Sequence, residues 1–206
     1  MFDTGPVRLP GDQQAALQAA YARPVRAYHS IGHVQDVLDH YEQVLVGPGW
    51  VQPAEVWLAV LYHDAIYEAG RSDNESRSAE LARQHIARWL PDTGIDIGRV
   101  CELIDLTARH GRISAEDLAL GADPADTRHF LDCDMAILGA EPAVFDAYDA
   151  GIAAEYRGRV PAFLFKLNRR RFLKGLLAKE RIFLSDWFHQ RLDAAARSNL
   201  RRALAD

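Results

Sequence analysis

Cysteine is scarce: Cys101 and Cys133 are the only two in 206 residues, so no disulfide framework holds this chain together. Long apolar runs are missing as well. The longest, Val56 to Tyr62, spans seven residues, against roughly 18 for a membrane-crossing helix. The first twelve residues, MFDTGPVRLPGD, lack the basic start and apolar core of a secretory signal. No stretch alternates apolar and polar residues in a β-rich run between turn signals, which leaves no convincing strand. Neither sign of charge dominates. With 24 basic and 29 acidic residues the net charge is -5, which argues against a surface built for a nucleic-acid duplex. The expectation is a cytoplasmic chain with reduced thiols and no membrane partner.

What is present is helical spacing throughout. Apolar residues at i, i+3, i+4 and i+7, with start and stop signals, predict helices near 12–23, 30–46, 53–68, 73–89, 96–110, 124–138, 141–157, 161–179 and 185–204. Gly47-Pro48-Gly49 separates the second from the third, and Pro53 opens the third. Ser72 to Glu75 reads as a capping box for the fourth. No linker, repeat or low-complexity segment interrupts this pattern. It predicts one all-α domain over 1–206, a bundle of about nine helices, with 1–11 as a flexible tail.

Polar residues that fall on inward faces then single themselves out. The third segment is apolar nearly all round from Val56 to Ile66, yet it carries His63 and Asp64 side by side. Two ionisable groups inside the most hydrophobic helix require a compensating partner, and a divalent cation satisfies both. A core histidine beside a salt-bridged aspartate is the plainer alternative. In the sixth segment Asp134 falls within the stripe of Phe130, Leu131, Ile137 and Leu138, whereas Asp132 points the other way. A buried Asp–Arg pair would equally account for Asp134. His33 flanks the stripe of the second segment, and Gly32 beside it lowers helix stability by about 1 kcal/mol relative to Ala, a cost that close approach of another group would explain. His85, one turn from Leu81 and from Trp89, reads as a packed core histidine, and His110 as a complement to a helix C-terminus. The basic run from Lys166 to Lys174 is interleaved with apolar residues and reads as a solvated amphipathic face.

His33, the His63-Asp64 doublet and Asp134, all on helices, resemble the HD superfamily of metal-dependent phosphohydrolases. RAYHSIGHVQDVL (26–38), AVLYHDAIYEAGRSDNESRSAELA (59–82), LTARH (106–110) and HFLDCDMAILGA (129–140) are similar to the small bacterial branch of that superfamily. NRRRFLKGLLAKERIF (168–183) and AARSNL (195–200) extend the likeness towards the C-terminus, although Asn168 stands where that branch more often has glycine. The resemblance implies an HD-type helical domain that binds one divalent metal through His33, His63, Asp64 and Asp134. Arg26, His29, Glu75, His110 and Arg169 fall in its other matching stretches.

Two imidazoles and two carboxylates suit Mn, Fe, Co, Ni, Zn or, less well, Mg. A metal there lowers the pKa of bound water towards about 7, so the implied reaction is attack of a metal-bound hydroxide on a small phosphate ester, a nucleotide among the candidates. Asp64, His110 and His29 are then the catalytic candidates, with either histidine as proton donor. Arg26, Glu75 and Arg169 are the candidate substrate contacts, the arginines for phosphate. Arg169 also reads as an inward guanidinium bridged permanently to a buried carboxylate. Three further readings stay open: an HD-type di-iron oxygenase using His85 and His110 as extra ligands, a non-catalytic nucleotide- or phosphate-binding module, and a structural bundle without metal.

Overall fold

Residues 56–62 are too apolar to sit anywhere but inside, and they form the buried axis of the first half of the chain. In the computed structural model, which describes residues 5–114, 117–118 and 124–205, each side chain from Val56 to Tyr62 is at most 1% exposed. Among the described residues the protein is all-α, with nine α-helices, one 3-10 turn and no strand. They divide into two compact units, the first ending at Ala108 and the second beginning at Arg109.

The first unit contains α1 (Gly11–Ala22), α2 (Ile31–Val46), α3 (Pro53–Tyr62), α4 (Asn74–Trp89) and α5 (Ile97–Thr107). Pro53 opens α3, where its missing N–H costs nothing. Ser30 caps α2 by accepting from the Gly32 amide, and Asp96 caps α5 by accepting from the Arg99 amide. α3 packs against α2, α4 and α5, so it is enclosed on every side, as its all-round hydrophobicity requires. The expected N-terminal tail contributes to this core from residue 5 onwards. Val7 and Leu9 are buried, and Gly5 lies so close to Trp57 that a Cβ there would sit 2.1 Å from the indole ring.

Three local expectations for this unit change. α3 stops at Tyr62 instead of continuing to 68, so His63 and Asp64 follow the helix instead of lying within it. The SDNE segment does not form a capping box: Asp73 is the cap residue of α4 and makes no side-chain capping bond. The buried Asn74 reaches back instead, accepting from the Glu68 amide (3.0 Å) and donating to the Glu68 carbonyl (3.1 Å). Gly32, for its part, meets no closely approaching group, since the nearest atom to a Cβ there would be Ser30 Oγ at 3.4 Å.

The second unit contains α6 (Pro124–Met135), a 3-10 turn (Ala136–Gly139), α7 (Pro142–Tyr156), α8 (Ala162–Ala178) and α9 (Asp186–Ala205). α9 lies against the 3-10 turn, where Gly139 is required: a Cβ would come within 2.7 Å of Leu192 Cβ. Asn199 secures the same contact by donating to the Leu138 and Ala140 carbonyls, at 3.0 and 2.8 Å.

The Asp134 side chain is 8% exposed, inward as its stripe predicts, but the outward expectation for Asp132 fails. Asp132 is the deeply buried carboxylate, 1% exposed, because the segment entering α9 covers the face opposite the apolar stripe. Its Oδ1 accepts from the Leu184 amide (2.7 Å), and its Oδ2 from the Ser185 amide and hydroxyl (2.7 and 2.6 Å). Burial pushes this carboxyl up to about 7, against the three hydrogen bonds that favour its charged form. Ser185 in turn caps α9 by accepting from the Phe188 amide. Asp132→Ala leaves two buried amides and a hydroxyl without their acceptor and should lower unfolding free energy by about 3 kcal/mol or more, measured as a shift of the urea midpoint at unchanged slope.

Candidate metal centre

The end of α3 determines the geometry of its first two residues beyond the helix. One more helical turn would give the Val60 carbonyl to the Asp64 amide. With the helix stopped at Tyr62, that carbonyl lies 2.8 Å from His63 Nδ1. A carbonyl can only accept, so Nδ1 carries hydrogen and the neutral ring presents its lone pair from Nε2. This is the arrangement in which a metal-ligating histidine has its other nitrogen held by the protein.

His33, in the first turn of α2, brings its own Nε2 to 3.1 Å from His63 Nε2. Asp64 Oδ2 lies 3.2 Å from His63 Nε2 and 3.5 Å from His33 Nε2. Both imidazoles are buried and the carboxylate is 14% exposed. Metal–ligand bonds of about 2.0–2.2 Å at angles of about 90–110° place neighbouring donor atoms about 2.8–3.6 Å apart. All three edges of the triangle fall in that range. A shared proton can bridge one edge; a cation at the centre satisfies all three. Burial opposes the charge on Asp64, but His63, His29 and His33 outweigh it and hold the carboxyl well below the usual range. His33, His63 and Asp64 are thus the one group of three or more ligand-type side chains among the described residues gathered closely enough to hold a metal ion. Two imidazoles and a carboxylate fit a borderline divalent cation.

His29 lies beside this group. Its ring stacks on Tyr67 (centroids 3.9 Å, planes 24° apart) and sits edge-on to His33 at 6.0 Å. Arg26 is also close, but its guanidinium is engaged with backbone: Nη1 donates to the carbonyls of His29 and Asp64, Nη2 to those of Ala20 and Ala65. Glu75 stands in the first turn of α4. His85 Nδ1 lies 3.1 Å from the Tyr62 hydroxyl, which also accepts from Gln13, and its ring packs edge-on against Trp89 at 4.6 Å. That is the packed histidine the sequence suggested. Burial pushes the Tyr62 hydroxyl up to about 12.

The remaining candidates belong to the second unit. Asp134, the expected fourth ligand, has its Oδ2 2.7 Å from His110 Nδ1. Arg169 is held by Asp149, with Nε and Nη2 both on Oδ1 at 2.9 and 2.7 Å, and Nη1 reaches the Tyr148 hydroxyl at 3.2 Å. Its guanidinium also lies over the Tyr148 and Phe172 rings, at 5.0 and 5.5 Å. The permanent bridge, not an open phosphate fork, is the arrangement seen.

The chain matches no protein-family model, no curated protein and no solved structure.

Two outcomes follow from these contacts. Ligating imidazoles must be neutral and protons compete with the metal for them, so metal affinity should rise with pH and weaken on acidification, which a Co(II) titration at several pH values measures. Arg169→Lys exchanges a planar fork for a point charge and should cost about 1 kcal/mol of stability by urea unfolding.

Proposed function

We propose that the protein is a metal-dependent phosphohydrolase of the HD type that cleaves small phosphate esters. The observation that carries this reading is the convergence of His33 Nε2, His63 Nε2 and Asp64 Oδ2 within 3.5 Å of one another, at the spacing a divalent cation imposes. The sequence resemblance supports phosphate esters as the substrate class. When bound, the metal supplies Lewis acidity towards a phosphoryl oxygen and activates water at neutral pH.

The chain's own residues do the rest. His63 is held in one tautomer by the Val60 carbonyl, so its donor atom needs no reorientation on binding. Asp64 stays ionised across the physiological range and keeps the donor set at one negative charge, leaving net positive charge for an anionic substrate. His29, half-buried on Tyr67 beside the donor group, can hand a proton to the leaving oxygen. Asp134 as a further ligand and His110 as an alternative donor rest on the resemblance alone. The packing of His85 on Tyr62 and Trp89 favours a single metal over the two irons of an oxygenase.

Hydrolysis of p-nitrophenyl phosphate, bis(p-nitrophenyl) phosphate and nucleoside monophosphates, each with Mn(II), Co(II), Ni(II), Zn(II) or Mg(II), tests this function. Activity should vanish with chelator and return with metal. Asp64→Asn should lose bound metal and at least about a hundredfold in kcat/KM, the loss expected when several kcal/mol of charge stabilisation disappear. Full activity in chelator, or in Asp64→Asn, would refute the proposal.

A further inference from the structure

The segment from His63 to Glu68 has left the helix, so its backbone groups need other partners. Buried or half-buried side chains supply them almost residue by residue. The Tyr21 hydroxyl donates to the Leu61 carbonyl at 3.0 Å. Arg26 takes the carbonyls of Asp64 and Ala65, Ser78 Oγ bonds both the amide and the carbonyl of Ile66, and Asn74 both the amide and the carbonyl of Glu68. Arg26 is the member that reaches furthest. The same guanidinium also takes the Ala20 carbonyl at the end of α1 and the His29 carbonyl before α2, at 3.1 and 3.0 Å. It therefore ties three separate stretches of chain together, two of which carry His29 and Asp64.

A guanidinium has four terminal N–H hydrogens, two on each Nη. Here two go from Nη1 and two from Nη2 to four backbone carbonyls. A bidentate grip on phosphate needs those same hydrogens. The residue is 9% exposed, and its Cζ lies over the Tyr21 and Tyr67 rings, 5.4 and 5.9 Å from their centroids. Tyr67 is also the platform on which His29 stacks. Rings on which the cation lies, and carbonyls that saturate its fork, fix the group as part of the frame.

We infer that Arg26 is a positioning residue of the metal centre. By holding the Asp64 and His29 backbone carbonyls on one planar fork, it fixes where the Asp64 carboxylate and the His29 ring stand before any metal arrives. The substrate-contact role expected from the sequence passes to other groups. This inference rests on the proposed metal site and deepens it.

Arg26→Lys and Arg26→Gln, made in the full chain, separate the roles when Co(II) affinity, the Co(II) d–d absorption spectrum, inhibition by inorganic phosphate and thermal unfolding are measured together. Positioning predicts a folded variant whose Co(II) affinity falls about 10–100-fold with an altered d–d spectrum, the loss typical of removing a group that orients a ligand. The inhibition constant of phosphate, taken at saturating metal, should change less than about threefold, with Lys nearer wild type than Gln. Wild-type Co(II) affinity and spectrum combined with lost phosphate inhibition would show a substrate contact and overturn the inference. Early unfolding with wild-type Co(II) affinity in the folded fraction would show a merely structural residue and overturn it equally. If wild-type protein binds no Co(II), the metal site itself is wrong, an outcome distinct from either. Should neither variant fold, hydrogen exchange of wild-type residues 63–68 decides. Equal protection with and without Co(II) supports a frame set in advance, and protection that appears only with Co(II) refutes it.

Discussion

The site depends on where one helix ends. From Val56 to Tyr62 α3 is apolar on all sides and buried, and nothing in its local sequence stops it at Tyr62. Hydrogen bonds from elsewhere in the unit hold the chain that leaves it. The Val60 carbonyl goes to His63, the Leu61 carbonyl to Tyr21, and the carbonyls of Asp64 and Ala65 to Arg26. The bond between His63 Nδ1 and the Val60 carbonyl, in the last turn of the helix, fixes the ligand's tautomer at the point where the chain leaves α3. Termination and ligand orientation are thus one set of bonds.

This explains what the sequence reveals and what it hides. Each of the nine helices is legible, because periodicity and punctuation act over a few residues and both were present. Overshoot at α3 arises because apolar residues persist through Ile66, while the stop signal lies 38 or more residues away at Arg26 and 12 residues ahead at Ser78. His33, His63 and Asp64 were legible as chemistry, since ionisable side chains in apolar company demand partners. Their three distances were not.

Aspartates and arginines show the same limit. A helical wheel assigns one face to the core, so Asp132 read as outward. It is inward because the chain entering α9 covers the opposite side of α6 and brings two amides and a hydroxyl to it. Arg26 read as a phosphate contact, and Arg169 as either a phosphate contact or a permanent bridge to a carboxylate, because a guanidinium must find an anion or a cluster of acceptors. Sequence cannot say which, and here carbonyls take one and Asp149 and Tyr148 the other. The SDNE segment carries capping residue types, yet Asn74 serves the chain that leaves α3 instead of its own helix.

X-ray absorption at the metal edge of Co(II)- or Zn(II)-loaded protein tests the central claim most directly. Nitrogen and oxygen scatterers are expected at about 2.0–2.2 Å, with the outer-shell pattern of two imidazoles that falls to one in His63→Ala. A first shell containing sulfur, or an imidazole count unchanged in His63→Ala, would contradict it.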